Sequence, residues 1–524
     1  MSSQVDSLWL FALASKSNHL TITNIITSIF LFVLTWLAMS LFYWAHQGGP
    51  AWGKYSWTHF SHWAKKPIHG PRGWPIFGSV GLKMGLAHHK IAAMAKLYNC
   101  EKLMAFSVGD TRMIVTCNVD VAKEILNSPV FVDRPDQESA YGLMFNRSIG
   151  FAPYGSYWRT LRRISGTHMF SPKQIKAYES QRNDIVCQMV ENLRDQNGAF
   201  QVRETLRWAS LGNMMGSVFG ERNMKNVELK AMVEEGYDLL GIFNFGDHLS
   251  WLADFDFQRI RFRCSELVPK VNHFVGRVIE EHRSNPAQVT RDFVDVLLSL
   301  QHPDKLSDSD MIAVLWEMIF RGTDSIAVLI EWILARLVIH PHIQSRLHDE
   351  LDNVVGRSRA VTESDLSSLV YLTAVIKEVL RVHPPGPLLS WSRLSIQDSL
   401  VDGCHVPAGT TAAVNMWAIA RDSDVWADPL KFEPNRFLGS RPNAEFSVLG
   451  SDLRLAPFGS GRRSCPGKVL GLTTVSFWVA SLVHEFEWVT SLGGEVDLSE
   501  ELKLSCEMAH PLSVEVRPRR TTKA

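Results

Sequence analysis

Residues 457–467 read PFGSGRRSCPG, a loop with one cysteine, Cys465, and glycines at 459, 461 and 467. A thiolate that ligates a metal must be approached closely by backbone N–H groups, and glycine permits this because it carries no Cβ. Such donors spread the charge on sulfur, Phe458 can cover one side against water, and these surroundings tune a ligand as much as its own atom does. Arg463, two residues before the cysteine, suits a fixed negative group. The competing reading is that Cys465 is a small inert side chain, the usual fate of a lone cysteine in a glycine-rich loop.

Three stretches outward from this loop decide between the two. An N-cap at Ser307, with Asp310 three residues on, predicts a long helix through MIAVLWEMIFRGTDSIAVLIEWILARLVIH, ending at Pro341. Its middle, Arg321 to Ser325, is poor helix-interior chemistry. Gly–Ser pairs and side chains inserted into the ladder kink helices, and a break here would turn polar groups toward a cavity. The alternative is a solvated patch. In YGSYWRTLRRISGTHMF, Trp158 and Arg162 are four apart and share a helix face, where an indole N–H and a guanidinium can hold a carboxylate. Arg159 and Arg163 point elsewhere, toward solvent. Glu378 and Arg381, three apart, would add little if exposed. With Arg436 of FEPNRF they can instead form a buried, fully paired group.

Phe458, Gly461, Arg463, Cys465 and Gly467 fill every defined position of Phe-x-x-Gly-x-Arg-x-Cys-x-Gly, and from about residue 60 onward the chain resembles the cytochrome P450 family. Trp158 and Arg162 resemble its Trp-x-x-x-Arg; Glu378 and Arg381 its Glu-x-x-Arg, with Arg436 as third member; Gly322 and Asp324 its Ala/Gly-Gly-x-Asp/Glu-Thr. The resemblance implies haem b bound through the Cys465 thiolate, the ligand type that favours O–O cleavage. It implies haem contacts from Phe458, Gly461, Arg463, Gly467, Trp158, Arg162 and Arg393, with propionates among their partners. Gly322, Asp324 and Ser325 would lie on the oxygen side, Asp324 and Ser325 relaying protons, while Glu378, Arg381 and Arg436 hold the core. There are two departures. Ser325 stands where the family has threonine, keeping the hydroxyl without the methyl that helps fix its rotamer. Arg321 replaces a small residue, which narrows the pocket or adds a positive contact.

Wording such as ESAYGLMFNRSIGFAPYGSYWRTLRRIS and EMIFRGTDS is similar to the plant 78A subfamily in particular. The implied activity inserts one oxygen atom of O2 into a C–H bond of a small lipophilic substrate, a fatty acid or related lipid being one candidate. The product would be a signal regulating plant growth and organ or seed size. No flavin or nicotinamide fingerprint is present, so electrons are expected from NADPH through a separate NADPH–cytochrome P450 reductase. Arg462, Lys468, Arg159 and Arg163 are candidates for its docking face. A haem-thiolate isomerase or lyase acting on a lipid hydroperoxide, and a non-catalytic haem carrier, stay open as alternatives.

The 524 residues are 46% apolar and 21% charged, with 54 basic residues against 54 acidic, so the charge balance implies no nucleic acid or other polyanionic partner. Seven irregularly spaced cysteines make neither a disulfide framework nor a zinc pattern and suit a reducing compartment. From Ile25 to Trp44 run twenty residues without charge. As a helix they span ~30 Å, a bilayer's hydrocarbon thickness, and Tyr43 and Trp44 suit its interface. A signal peptide would want a shorter run, a basic start and a small-residue cut site. Lys54, Lys65, Lys66 and Arg72 follow the span while only Asp6 and Lys16 precede it, which directs the C-terminal part to the cytosol.

The expected organisation is a lumenal 1–24, an anchor 25–44, a Pro/Gly-rich linker and hinge 45–78 and a haem-thiolate catalytic domain 79–524, in the endoplasmic reticulum membrane. The fold expected is mainly α with small β-sheets and one N-terminal transmembrane helix. Locally, a hairpin is expected around Gly109-Asp110, a helix from Asp120, and a channel-covering loop over Tyr237–Trp251.

Overall fold

The uncharged N-terminal run forms one helix, α1 (Ile22–Ala45). Its stretch from Asn24 to Trp44 has mean hydropathy 2.3 and is long and apolar enough to cross a membrane. The chain is seen here as a computed structural model that describes residues 22–45, 68–196, 198–220, 227–285, 292–389, 392–439, 446–491 and 494–519. Asp6, Lys16, Lys54, Lys65 and Lys66, on which the expected orientation rests, lie outside the described residues, as does most of the linker.

After α2 (Ala87–Leu97), β1 (Met104–Val108) and β2 (Thr111–Thr116) form the hairpin expected around Gly109-Asp110, with Val108 opposite Thr111 and Gly109 at φ +52°. Helix α3 (Val119–Asn127) starts one residue earlier than expected. Its cap is Asn118, whose Oδ1 accepts from the N–H groups of Asp120 and Val121. Then come α4 (Glu138–Gly142), α5 (Ser156–His168), α6 (Pro172–Ala177), α7 (Glu179–Arg194), β3 (Phe200–Gln201) and α8 (Val202–Phe219). Helix α9 (Val227–Gly241) takes in Tyr237, so the aromatic loop begins only at Ile242, later than the sequence suggested. Helices α10 (Ile260–Ser284) and α11 (Phe293–Ser299) follow.

The centre of the fold is α12 (Asp308–Ile339). The Ser307 hydroxyl accepts from the Asp310 N–H at 3.2 Å, and the helix is buried along most of its length. An element apolar on every side must be enclosed, and each large side chain buried there contributes about 2 kcal/mol. The remaining elements are α13 (Pro341–Val354), α14 (Val370–Val382), β4 (Arg393–Leu394), β5 (Ser399–Val401), β6 (Cys404–Val406), β7 (Thr411–Val414) and α15 (Met416–Ile419). They continue with α16 (Lys468–Glu485), β8 (Phe486–Thr490), β9 (Glu500–Leu502), β10 (Cys506–Met508) and β11 (Ser513–Pro518). The strands form small sheets ordered β1-β2-β7-β4 and β3-β11-β8, plus the pairs β5-β6 and β9-β10. The chain is thus mainly α with small sheets.

Two apolar cores meet on α12. One packs its first half, up to Phe320, against α8, α9 and α10; the other packs its second half, from Ile326, against α14 and α16. Residues 321–325, the polar middle, fall in the seam between them. That seam is where the cavity lies.

Candidate functional site: a cysteine on a cationic cavity

The 457–467 loop closes on itself where the Cys465 N–H donates to the Phe458 carbonyl at 3.0 Å. Gly459 and Gly461 hold φ of +67° and +70°, the left-handed region, and a Cβ at 461 would lie 2.1 Å from the Leu126 carbonyl oxygen. Burial pushes the Cys465 thiol up, while the Gly467 backbone N–H and the charges of Arg321, Arg162 and Lys468 pull it the other way. Gly467 also precedes the first turn of α16.

Cys465 opens on a cavity of about 290 Å³ that reaches Gly322, Asp324 and Ser325 on α12. Five arginines line it: Arg321, and four that face backbone carbonyls. Arg162 donates to the Ser464 carbonyl at 3.0 Å and Arg393 to the Ser460 carbonyl at 3.2 Å. Arg134 donates to the carbonyls of Gly150 and Ser392. Arg463 donates to those of Val132, Ile149 and Ala152, with Asp133 at 3.5 Å. Burial first, then the other arginines, holds Arg393 down at about 9 and Arg134 well below the usual guanidinium range. Burial likewise lowers Arg463 to about 10, with Asp133 opposing. Crowded cations facing mostly neutral carbonyls would be relieved by an anion with several acceptor oxygens. The two carboxylates of a haem fit that donor set, and the Cys465 sulfur fits its iron.

The sequence reading left out Arg134. It lies in an irregular loop with no helical spacing to mark it, and one of its acceptors, Ser392, is 258 residues away. The structure puts Trp158 beside the same loop. Its indole N–H donates to the Ile149 carbonyl at 2.9 Å, and the Arg463 guanidinium lies 4.4 Å above its ring. Buried donors must find acceptors, and loop 131–154 offers bare carbonyls to both Trp158 and Arg463.

On the α12 side, Gly322 lets α8 approach: a Cβ there would lie 2.4 Å from the Met214 sulfur. Asp324 is buried and lies 3.8 Å from Arg207. Burial raises its carboxyl, while Ser505 and Arg207 pull it down. Arg207 in turn pairs with Glu507 at 2.7 Å. Ser325 lines the cavity, and Arg321 pairs with Glu317 at 3.3 Å. Instead of a break, α12 stays helical through this turn while side-chain hydroxyls engage its carbonyls. Thr323 donates to Ile319, Ser210 donates to Thr323, and Tyr237 donates to Phe320. A hydroxyl can satisfy a carbonyl without ending the helix.

Away from the cavity, Glu378 accepts from Arg381 and from Arg436, all three buried.

The sequence matches the family model described as Cytochrome P450 over residues 68–514. It is 62% identical to cytochrome P450 78A9 of Arabidopsis thaliana, with 99% of each chain covered. It is 61% identical to cytochrome P450 78A3 of Glycine max, covering 99% of this chain and 100% of that one. A flavonoid 3'-monooxygenase of Crocosmia x crocosmiiflora is 35% identical, over 87% of this chain and 93% of its own.

Proposed function

The chain belongs to the cytochrome P450 family, an enzyme family that uses haem b bound through a cysteine thiolate, and from that premise we propose that it is a membrane-anchored monooxygenase acting on a small lipophilic substrate. The observation that carries this reading is Cys465 on a cavity that is also lined by five arginines and by Asp324 and Ser325. When bound, haem b supplies the iron at which O2 is activated with two electrons and protons. Cys465 would hold that iron, with Phe458 and Gly461 shaping its loop. Arg134, Arg162 and Arg393 would receive the propionates, and Trp158 and Arg463 brace the loop that presents Arg134.

Asp324 is the proton carrier in this reading. Its raised carboxyl moves toward working pH, which favours general-acid work, and Ser325 supplies a hydroxyl at the cavity wall. Met214, Met318, Phe320, Leu388 and Leu389 line the substrate space and suit an aliphatic ligand such as a fatty acid or related lipid. The product as a regulator of growth and organ or seed size rests on the 78A resemblance.

Electrons would come from NADPH through its cytochrome P450 reductase. Arg159 and Arg462, both exposed and both about 6 Å from the Tyr154 ring, form the proposed docking face, whereas Arg163 is taken up by Asp304. Membrane anchoring is supported by α1, and the endoplasmic reticulum as the particular membrane rests on the 78A resemblance. The exposed Trp251, Phe255 and Phe257, the last two stacked at 5.3 Å between centroids, are aromatic rings suited to a membrane interface.

The test is reconstitution with reductase and isotopically labelled O2, screening lipids of graded chain length. NADPH-dependent label in a hydroxylated product supports the reading. Turnover of a lipid hydroperoxide without NADPH would replace it with an isomerase or lyase.

A further inference from the structure

Tyr237 projects from α9 to α12, where its hydroxyl donates to the Phe320 carbonyl and accepts from the Asp324 N–H at 3.1 Å. In a regular helix those two groups, four residues apart, are partners of each other. We propose that Tyr237 is a positioning residue for Asp324: its hydroxyl substitutes for one rung of α12 and makes the setting of Asp324 depend on the seat of α9. The inference deepens the reading of Asp324 as proton carrier and rests on it.

The contact between the two helices has no slack. A Cβ on Gly236 would lie 2.9 Å from the Phe320 ring, so the backbone of α9 sits directly on that side chain. The Tyr237 ring packs on Phe320 at 4.3 Å between centroids. Both residues line the cavity, so a ligand filling it presses on the pair. Asp324 is therefore held from two directions. Its backbone is held by Tyr237 of α9, and its carboxyl is paired with Arg207 of α8.

If α9 lifts, the hydroxyl leaves, and the Phe320 carbonyl and Asp324 N–H can close on each other. That is a two-state element which both the cavity and the oxygen side can bias. With α9 seated, Asp324 is set for proton delivery. With it lifted, the turn tightens and the carboxyl is displaced from that setting.

The full-length holoenzyme and its Tyr237→Phe variant, which keeps the ring and removes only the hydroxyl, test this by amide hydrogen exchange. In the wild type the Asp324 amide should exchange with the amides of α9. In Y237F it should exchange more slowly, with its neighbours on α12. With reductase and NADPH but no added substrate, peroxide released per NADPH should rise about fivefold, the scale set by one hydroxyl's hydrogen bonds. In an Asp324→Asn background, Tyr237→Phe should add nothing further.

An Asp324 amide that follows α12 in the wild type, or exchange and peroxide yield unmoved by Y237F, would overturn the proposal. The wild-type exchange measurement decides even if the variant folds poorly. It needs no turnover, so it is separate from failure of the monooxygenase reading, which would appear as absence of NADPH-dependent product.

Discussion

Glu378 and Arg381, one turn apart on α14, form a bidentate pair at 2.8 Å in which neither side chain keeps any exposure to solvent. Arg436 adds a contact at 3.1 Å, and Arg381 also donates to the carbonyls of Ala420, Pro429 and Lys431. Removing one partner leaves a buried charge unmatched, at a cost of about 3–5 kcal/mol. Glu378→Ala should therefore lower the melting temperature sharply and reduce haem retention, read by thermal denaturation and haem content. Arg381→Lys should fare little better, since an ammonium cannot reach both the carboxylate and three carbonyls.

Gly461→Ala should disrupt the cysteine loop. It combines a left-handed φ of +70° with a Cβ 2.1 Å from the Leu126 oxygen, and backbone on both sides cannot step aside. The expected cost is at least about 2 kcal/mol. Its readout is loss of haem at a temperature where the wild type retains it.

Asp324→Asn keeps the shape of the side chain and removes its proton. Product formation should fall about a hundredfold, the usual worth of a positioned acid. The reduced carbon monoxide spectrum should be unchanged, because Asp324 lies on α12, away from the cysteine loop. Unaltered product formation would remove Asp324 from the proton route.

His282 links α10 to α11 by a pH-dependent contact. Its Nε2–H donates to Asp292 at 3.0 Å, its Nδ1–H to the Val278 carbonyl at 2.7 Å, and Asp292 caps α11. The hydrogen bond to Asp292, chiefly, pushes the imidazole up to about 9. A histidine raised in the fold stabilises fully below its unfolded value of 6.5 and loses that contribution as pH rises through about 9. His282→Gln should thus cost about 2 kcal/mol near pH 6, allowing for partial solvent screening, and much less near pH 10. Thermal denaturation across that range checks it.

Features written in short spacing were legible before any coordinates. The Gly109-Asp110 turn, the Ser307 cap and the apolar span of α1 each depend on residues within a few positions. Cys465 was legible as a candidate ligand for the same reason, its loop carrying its own glycines. The Tyr237 hydroxyl was not. It acts on a carbonyl 83 residues away, and in its own helix it reads as one more aromatic. Nor was the form taken by the α12 middle. Glycine and hydroxyl residues signalled an irregular turn, but which hydroxyls would fill it depended on how α8 and α9 pack there. Helix α3 begins before Asp120 because Asn118, extended in its backbone, caps it through Oδ1.

The most direct test of the account is the carbon monoxide difference spectrum of the reduced, purified chain beside its Cys465→Ala variant. The wild type should give the long-wavelength Soret band of thiolate-ligated iron, and the variant should lose it. A wild-type chain without that band, or a variant that retains it, would contradict the assignment of Cys465 as the haem ligand.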